Sequence, residues 1–216
     1  MRIGAAFVAL AGASLLCGCA MQSSGEQAAG ITERAIASAY IPLSGSEDLL
    51  LEGHGAAIVI APGIAVTNAH NANLLPDGTG IIGTSVGYDL LFFRVRNMSP
   101  PPPIGEPLPT ERVVAYGQGS GGDLRKAIGV VKWRVAPVLP RCPKCPEQKA
   151  FAYEANAGAG FSGGPVIDAA TGALVGITFG YNDEENSGIE KLMYAYDMKT
   201  VMGELARLEN GGKSAP

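Results

Sequence analysis

Ser162 lies in Gly160-Phe161-Ser162-Gly163-Gly164-Pro165, a serine set among glycines in a chain of 216 residues. Glycine permits the tight turn that exposes such a hydroxyl, and small neighbours leave room for a carbonyl to approach it. The backbone N–H groups of Gly160 and Ser162 are placed to converge on the oxyanion formed when the hydroxyl adds to that carbonyl. One such donor typically contributes about 3 kcal/mol of transition-state stabilisation. The chemistry is acyl transfer through a nucleophilic serine, and it needs a base. The chain has only two histidines, His54 and His70, and both precede Ser162.

The hexapeptide also satisfies G-x-S-x-G, the nucleophile elbow of α/β-hydrolases, but that fold requires its histidine after the serine. Chain order excludes it and leaves the order His, Asp, Ser. His70 ends Ile64-Ala65-Val66-Thr67-Asn68-Ala69-His70, an apolar strand running into a small-residue turn, where an imidazole is rigidly held yet open to a cleft. His54, in Glu52-Gly53-His54-Gly55, reads as a surface turn residue before the first strand. The orienting carboxylate lies between His70 and Ser162, among Asp77, Asp89 and Asp123. Asp77 belongs to the turn signature Pro76-Asp77-Gly78, and Asp123 follows Gly121-Gly122 in a loop. Asp89 opens Asp89-Leu90-Leu91-Phe92-Phe93-Arg94-Val95 and so enters a buried strand, where a carboxylate is shielded enough to hold the histidine tautomer. The catalytic set is His70, Asp89 and Ser162, with Gly160 and Ser162 as the oxyanion hole.

Short apolar runs must carry these residues. They recur at 56–61, 64–67, 80–86, 90–95, 113–117, 127–135, 151–154, 165–167, 174–179 and 192–196, many rich in Val, Ile, Phe and Tyr. One amphipathic helix is expected over Met198–Leu208 with Asp197 as N-cap, and a short one within 31–39. Strands at this spacing without interleaved helices predict an all-β barrel or sandwich. Ser99 to Pro109 holds six prolines; proline cannot donate to a ladder, so 100–110 is an extended linker between two strand sets. An apolar fraction of 47% and thirty glycines suit a turn-rich globular domain. A net charge of −4 offers no basic stripe for nucleic acid.

The segments around His70, Asp89 and Ser162 resemble the three signature blocks of trypsin-like (chymotrypsin-fold) serine peptidases, closest to the bacterial HtrA/Do and glutamyl-endopeptidase branches. Ala115-Tyr116-Gly117-Gln118-Gly119 resembles the glycine-rich loop that opens the second barrel, and Leu174 to Gly180 the strand that walls the specificity pocket. The resemblance covers about residues 50–205. It implies two six-stranded Greek-key barrels, 40–99 and 111–216, with the site between them and a C-terminal helix. It also implies a substrate pocket of Asn156, Thr178, Phe179 and Gly180, with protein or peptide as substrate and no cofactor or metal. Asn156 stands at the pocket base where a preference for Arg or Lys would want Asp. Two departures stand out: only 19 residues separate His70 from Asp89, and no PDZ-sized segment follows the resembling region.

Residues 1–18 read as a signal peptide, one Arg followed by an apolar run too short to span a bilayer. Leu16-Cys17-Gly18-Cys19 resembles the bacterial lipobox, which implies cleavage before Cys19 and lipid attachment to its sulfur; the alternative is ordinary cleavage near Ala20, leaving a soluble periplasmic or secreted protein. Ala20 after the lipidated cysteine points to the outer membrane, facing the periplasm, by the sorting rule for such lipoproteins. The Ser-, Gly- and Gln-rich segment 19–39 reads as a tether. Cys142 and Cys145 have neither the partners of a zinc site nor the βαβ context of a redox motif, so a local disulfide is expected. The functional reading is a serine endopeptidase of the envelope. The competing reading, from another class, is a catalytically silent protease-fold binding module, and an esterase on the same triad is a third.

Overall fold

Runs rich in β-branched and aromatic residues form strands here because each such side chain packs on a pleated, half-buried surface. A computed structural model describes residues 25–48, 51–138, 148–182 and 191–211. In chain order the strands are β1 (Glu26–Gln27), β2 (Tyr40–Asp48), β3 (Leu51–Ala61), β4 (Ile64–Thr67), β5 (Ile81–Thr84), β6 (Leu91–Arg94), β7 (Arg112–Gln118), β8 (Leu124–Val138), β9 (Gln148–Ala155), β10 (Pro165–Asp168), β11 (Leu174–Asn182) and β12 (Lys191–Asp197). Helix α1 (Arg34–Ala39) precedes β2, a 3-10 turn (Ala69–Leu74) follows β4, and α2 (Met198–Glu209) follows β12. The all-β architecture expected from the strand spacing is present.

The C-terminal half closes as a six-stranded antiparallel barrel in the order β8-β7-β10-β11-β12-β9, with β9 returning to β8. Closure is possible because β8 is long and irregular: Arg112–Gln118 pairs with its first half and β9 with its second, with register shifts around Trp133. The N-terminal half is a second antiparallel sheet, β2-β3-β4-β6-β5 among the described residues. Its central strand β4 is buried at every position, which an Ile-Ala-Val-Thr run between two neighbours requires. Val113, Phe151, Tyr153, Phe161, Val166 and Met193 fill the barrel. A second core joins Ile58, Val66 and Phe92 of the sheet to Ile177 and Tyr196 of the barrel and Val201 of α2. That shared core makes the two halves one packed unit.

Three local readings change. Of the segment 19–39, the described part is packed on the body: Glu26 and Gln27 pair with Lys126 and Arg125 of β8, and Ile36 is fully buried. Polar composition hid this, because two backbone-paired residues and one apolar anchor suffice to fix it. His54 lies within β3 opposite Ser44, with Nδ1 3.0 Å from the Ser44 hydroxyl, and is not in a surface turn. The glycine after it serves close approach: a Cβ on Gly55 would sit 2.8 Å from the Asn71 amide. The proline-rich 100–110 stretch is seated on the barrel, where Leu174 donates to the Pro103 carbonyl (2.7 Å) and Gly105 to that of Leu174 (3.0 Å). Helix α2 begins as expected, Asp197 accepting from the Thr200 amide at 2.7 Å. Cys19, Cys142 and Cys145 lie outside the described residues.

Candidate active site

Strand β4 delivers the histidine and β6 the carboxylate, and the two strands are neighbours. Past Thr67 the chain turns, and Asn68 pins that turn by donating its side-chain amide to the Asp89 carbonyl (2.9 Å). The following 3-10 turn brings His70 against Asp89 twice. Its backbone amide donates to Oδ1 at 3.2 Å, and ring Nδ1 lies 2.5 Å from Oδ2. An ionised carboxylate accepts, so Nδ1 carries the proton and Nε2 keeps its lone pair. The Asp89 side chain is 15% exposed and that of His70 45%, so the imidazole faces solvent while the carboxylate is shielded. Asp89 is held in turn by Tyr196, whose hydroxyl accepts from the Asp89 amide at 3.1 Å. The rejected acids stand elsewhere: Asp77 is exposed in its turn, and Asp123 pairs with Arg125 at 2.6 Å.

Ser162 follows the buried Phe161 in the turn that leads into β10. Its carbonyl accepts from the Ala56 amide (2.9 Å) and from Asn71 Nδ2 (3.0 Å), which docks the serine turn onto the sheet beside His70. Among the described residues no hydrogen bond joins the Ser162 hydroxyl to the His70 ring; Asn71 is the link between the two segments. Gly163 at φ +78° must be glycine, since a Cβ would stand 2.0 Å from the Ala56 carbonyl oxygen. Gly160 at φ +86° is equally restricted, with the Gln118 carbonyl oxygen 2.1 Å from where a Cβ would lie. Its own carbonyl accepts from the Gln118 amide (2.9 Å), and the Phe161 amide donates to Gly158 (3.1 Å). The Gly160 and Ser162 amides donate to no protein acceptor among the described residues. These two N–H groups flank a buried aromatic, Phe161.

Residues 55–177, more than half of the chain, match the family model of the trypsin-like peptidase domain. The chain belongs to the trypsin-like peptidase family. No curated protein matches it in sequence. In fold, this trypsin-like peptidase is similar to the active form of the Rv3671c protease from M. tuberculosis, with TM-score 0.66, 22% identity and 85% of each chain covered. It is also similar to the HtrA-type protease AlgW crystallised with a tripeptide (TM-score 0.64, 21% identity, 82% of this chain and 62% of that one). A third neighbour is the MamO protease domain from Magnetospirillum magneticum (TM-score 0.58, 17% identity, 78% and 96%). At such identities the likeness speaks for the fold.

Of the four residues expected to line a pocket in this trypsin-like peptidase, Thr178 is buried and its hydroxyl is bonded to Tyr153 Oη at 2.8 Å. Burial pushes the Tyr153 phenol well above its ordinary value, so it stays neutral. Phe179 stacks on Tyr196 with ring centroids 4.0 Å apart, so its ring props the residue under Asp89. Gly180 follows a bulge in β11, and Asn156 is half-buried just beyond β9.

Sequence reasoning passed over Asn71, Gln118 and Tyr196. Gln118 is buried and donates Nε2 to the carbonyls of Leu43 (2.7 Å) and Gly55, tying both halves together behind Gly160. Its only signal was an amide within an otherwise apolar strand. Asn71 donates to the Thr67 hydroxyl (3.0 Å) as well as to Ser162. Asn71→Ala is therefore expected to lower stability by about 1–3 kcal/mol, the loss of two buried hydrogen bonds at about 0.5–1.5 kcal/mol each. Turnover should fall with it, and a melting curve beside a peptide-cleavage assay checks both.

Proposed function

We propose that this trypsin-like peptidase is a serine endopeptidase that cleaves envelope or other extracytoplasmic proteins through an acyl-enzyme. The reading is supported above all by the 2.5 Å pairing of His70 Nδ1 with Asp89, set beside a serine turn docked through Asn71. Ser162 Oγ attacks the scissile carbonyl as His70 Nε2 takes its proton. Asp89 holds the ring and stabilises the imidazolium; the Gly160 and Ser162 amides receive the oxyanion. His70 then protonates the leaving amine, and water repeats the cycle on the ester. Asn156 and the engaged Thr178 hydroxyl offer no carboxylate for a basic side chain, and the pocket suits small or medium apolar residues.

A fluorophosphonate probe tests the chemistry, since it reacts only with an activated serine. Labelling of the wild type and none of Ser162→Ala is the expected result. A wild type that stays unlabelled where trypsin is labelled would favour the silent binding module instead. Peptide-library cleavage then separates endopeptidase from esterase and defines the pocket. For the anchor at Cys19, detergent-phase partitioning that disappears in Cys19→Ala is expected; wild-type protein found wholly in the aqueous phase would dismiss lipidation.

A further inference from the structure

Phe161 is the residue between the two oxyanion amides, and its ring is gripped by glycines. Fully buried, it extends into the barrel core. On one side lies Gly117 of β7, where a Cβ would stand 2.6 Å from Phe161 Cα and 2.7 Å from Cγ. On the other lies Gly25, at φ +75°, where a Cβ would stand 2.8 Å from the ring tip Cζ and 2.9 Å from the Lys126 carbonyl oxygen. Gly25 belongs to no part of the catalytic constellation. It begins the short segment that β8 holds by its edge: Arg125 donates to the Gly25 carbonyl (3.4 Å), Ala28 donates to that of Leu124 (2.9 Å), and Glu26 and Gln27 pair between them.

We infer that residues 25–28 are a positioning strap, in which Gly25 seats the Phe161 ring and so sets where the Gly160 and Ser162 amides point. The inference rests on the acyl-transfer reading above. An aromatic ring held on both sides has no freedom about its two torsions, so the Cα that carries it is fixed as well. Hydrogen bonds weaken steeply with misalignment, and a displacement of about 1 Å at a catalytic group can cost about 100-fold in rate. The contacts of the strap run to β8 and to Phe161, and not to Asn156, Thr178, Phe179 or Gly180. Loss of the strap should therefore appear in kcat.

The test uses the full chain with Gly25→Ala, and Ala28→Pro as a second variant that removes the strap's hydrogen bond without approaching Phe161. The expected result for both is a fall in kcat and in the fluorophosphonate reaction rate of roughly 10- to 100-fold, with KM within about twofold, measured well below each variant's melting midpoint, which the strained Cβ of Gly25→Ala lowers. Gln27→Ala, exposed on the same strand, should behave as wild type. Adding Phe161→Leu to Gly25→Ala should recover part of the loss, because leucine lacks the ring tip that the new methyl meets. The strap is refuted by unchanged kcat in both variants, by losses that merely follow a lowered melting midpoint, or by failure of the leucine rescue. An unlabelled wild type would instead overturn the acyl-transfer reading, and the strap's role with it, and so is told apart from a labelled wild type whose variants behave alike.

Discussion

Ser162→Ala is expected to reduce peptide hydrolysis by about 10⁶-fold, the scale on which removing an activated nucleophile acts in serine peptidases. The substitution deletes only Oγ. Both hydrogen bonds that dock this residue end on its carbonyl, from the Ala56 amide and from Asn71, and both survive. The oxyanion amides and the buried Phe161 ring are likewise untouched, so the melting midpoint should not move. A residual rate of about 10³- to 10⁴-fold over water should remain, since the oxyanion hole acts without the nucleophile. Kinetics with a cleaved peptide identified from a library provide the measurement. A variant that retains a tenth of wild-type turnover would place the nucleophile elsewhere.

Asp89→Asn should lower kcat by about 10⁴-fold with little change in stability. The reason lies in two contacts. His70 offers Asp89 its backbone N–H at 3.2 Å and its ring Nδ1 at 2.5 Å. A carboxylate accepts from both, but a carboxamide has one oxygen, and the backbone N–H cannot be reversed. The amide oxygen therefore takes the backbone contact and turns its NH₂ toward Nδ1. The ring answers by moving its proton to Nε2, where it can no longer accept one from Ser162. Nitrogen-15 NMR of the ring should report that inverted tautomer, with the protein still folded. Loss of less than about tenfold, or an unchanged tautomer, would show that Asp89 does not orient the base. The 19-residue spacing between His70 and Asp89 makes this the more searching of the two experiments.

The sequence by itself determined the all-β class, most strand positions and the capped C-terminal helix, and it carries the His70, Asp89, Ser162 order on which the proposed triad rests. Each of these is written locally: Ile64 to Thr67 as an apolar run, Asp197 before an amphipathic stretch, Ser162 among glycines. Chain order could exclude the α/β-hydrolase elbow because it needs no geometry. Tertiary structure alone decided what supports the site. Asn71 reaches a carbonyl 91 positions away, Gln118 a carbonyl 75 positions away, and Tyr196 an amide 107 positions away. Nothing in the residues near Asn71 or Tyr196 marks them, since their partners exist only after the sheet and barrel have packed together. His54 and Gly25 show the same limit from the other side. Glycine signals a turn when read along the chain, whereas at positions 25 and 55 it is required by what folds against it. Local chemistry is encoded by neighbours in sequence; its alignment is set by neighbours in space.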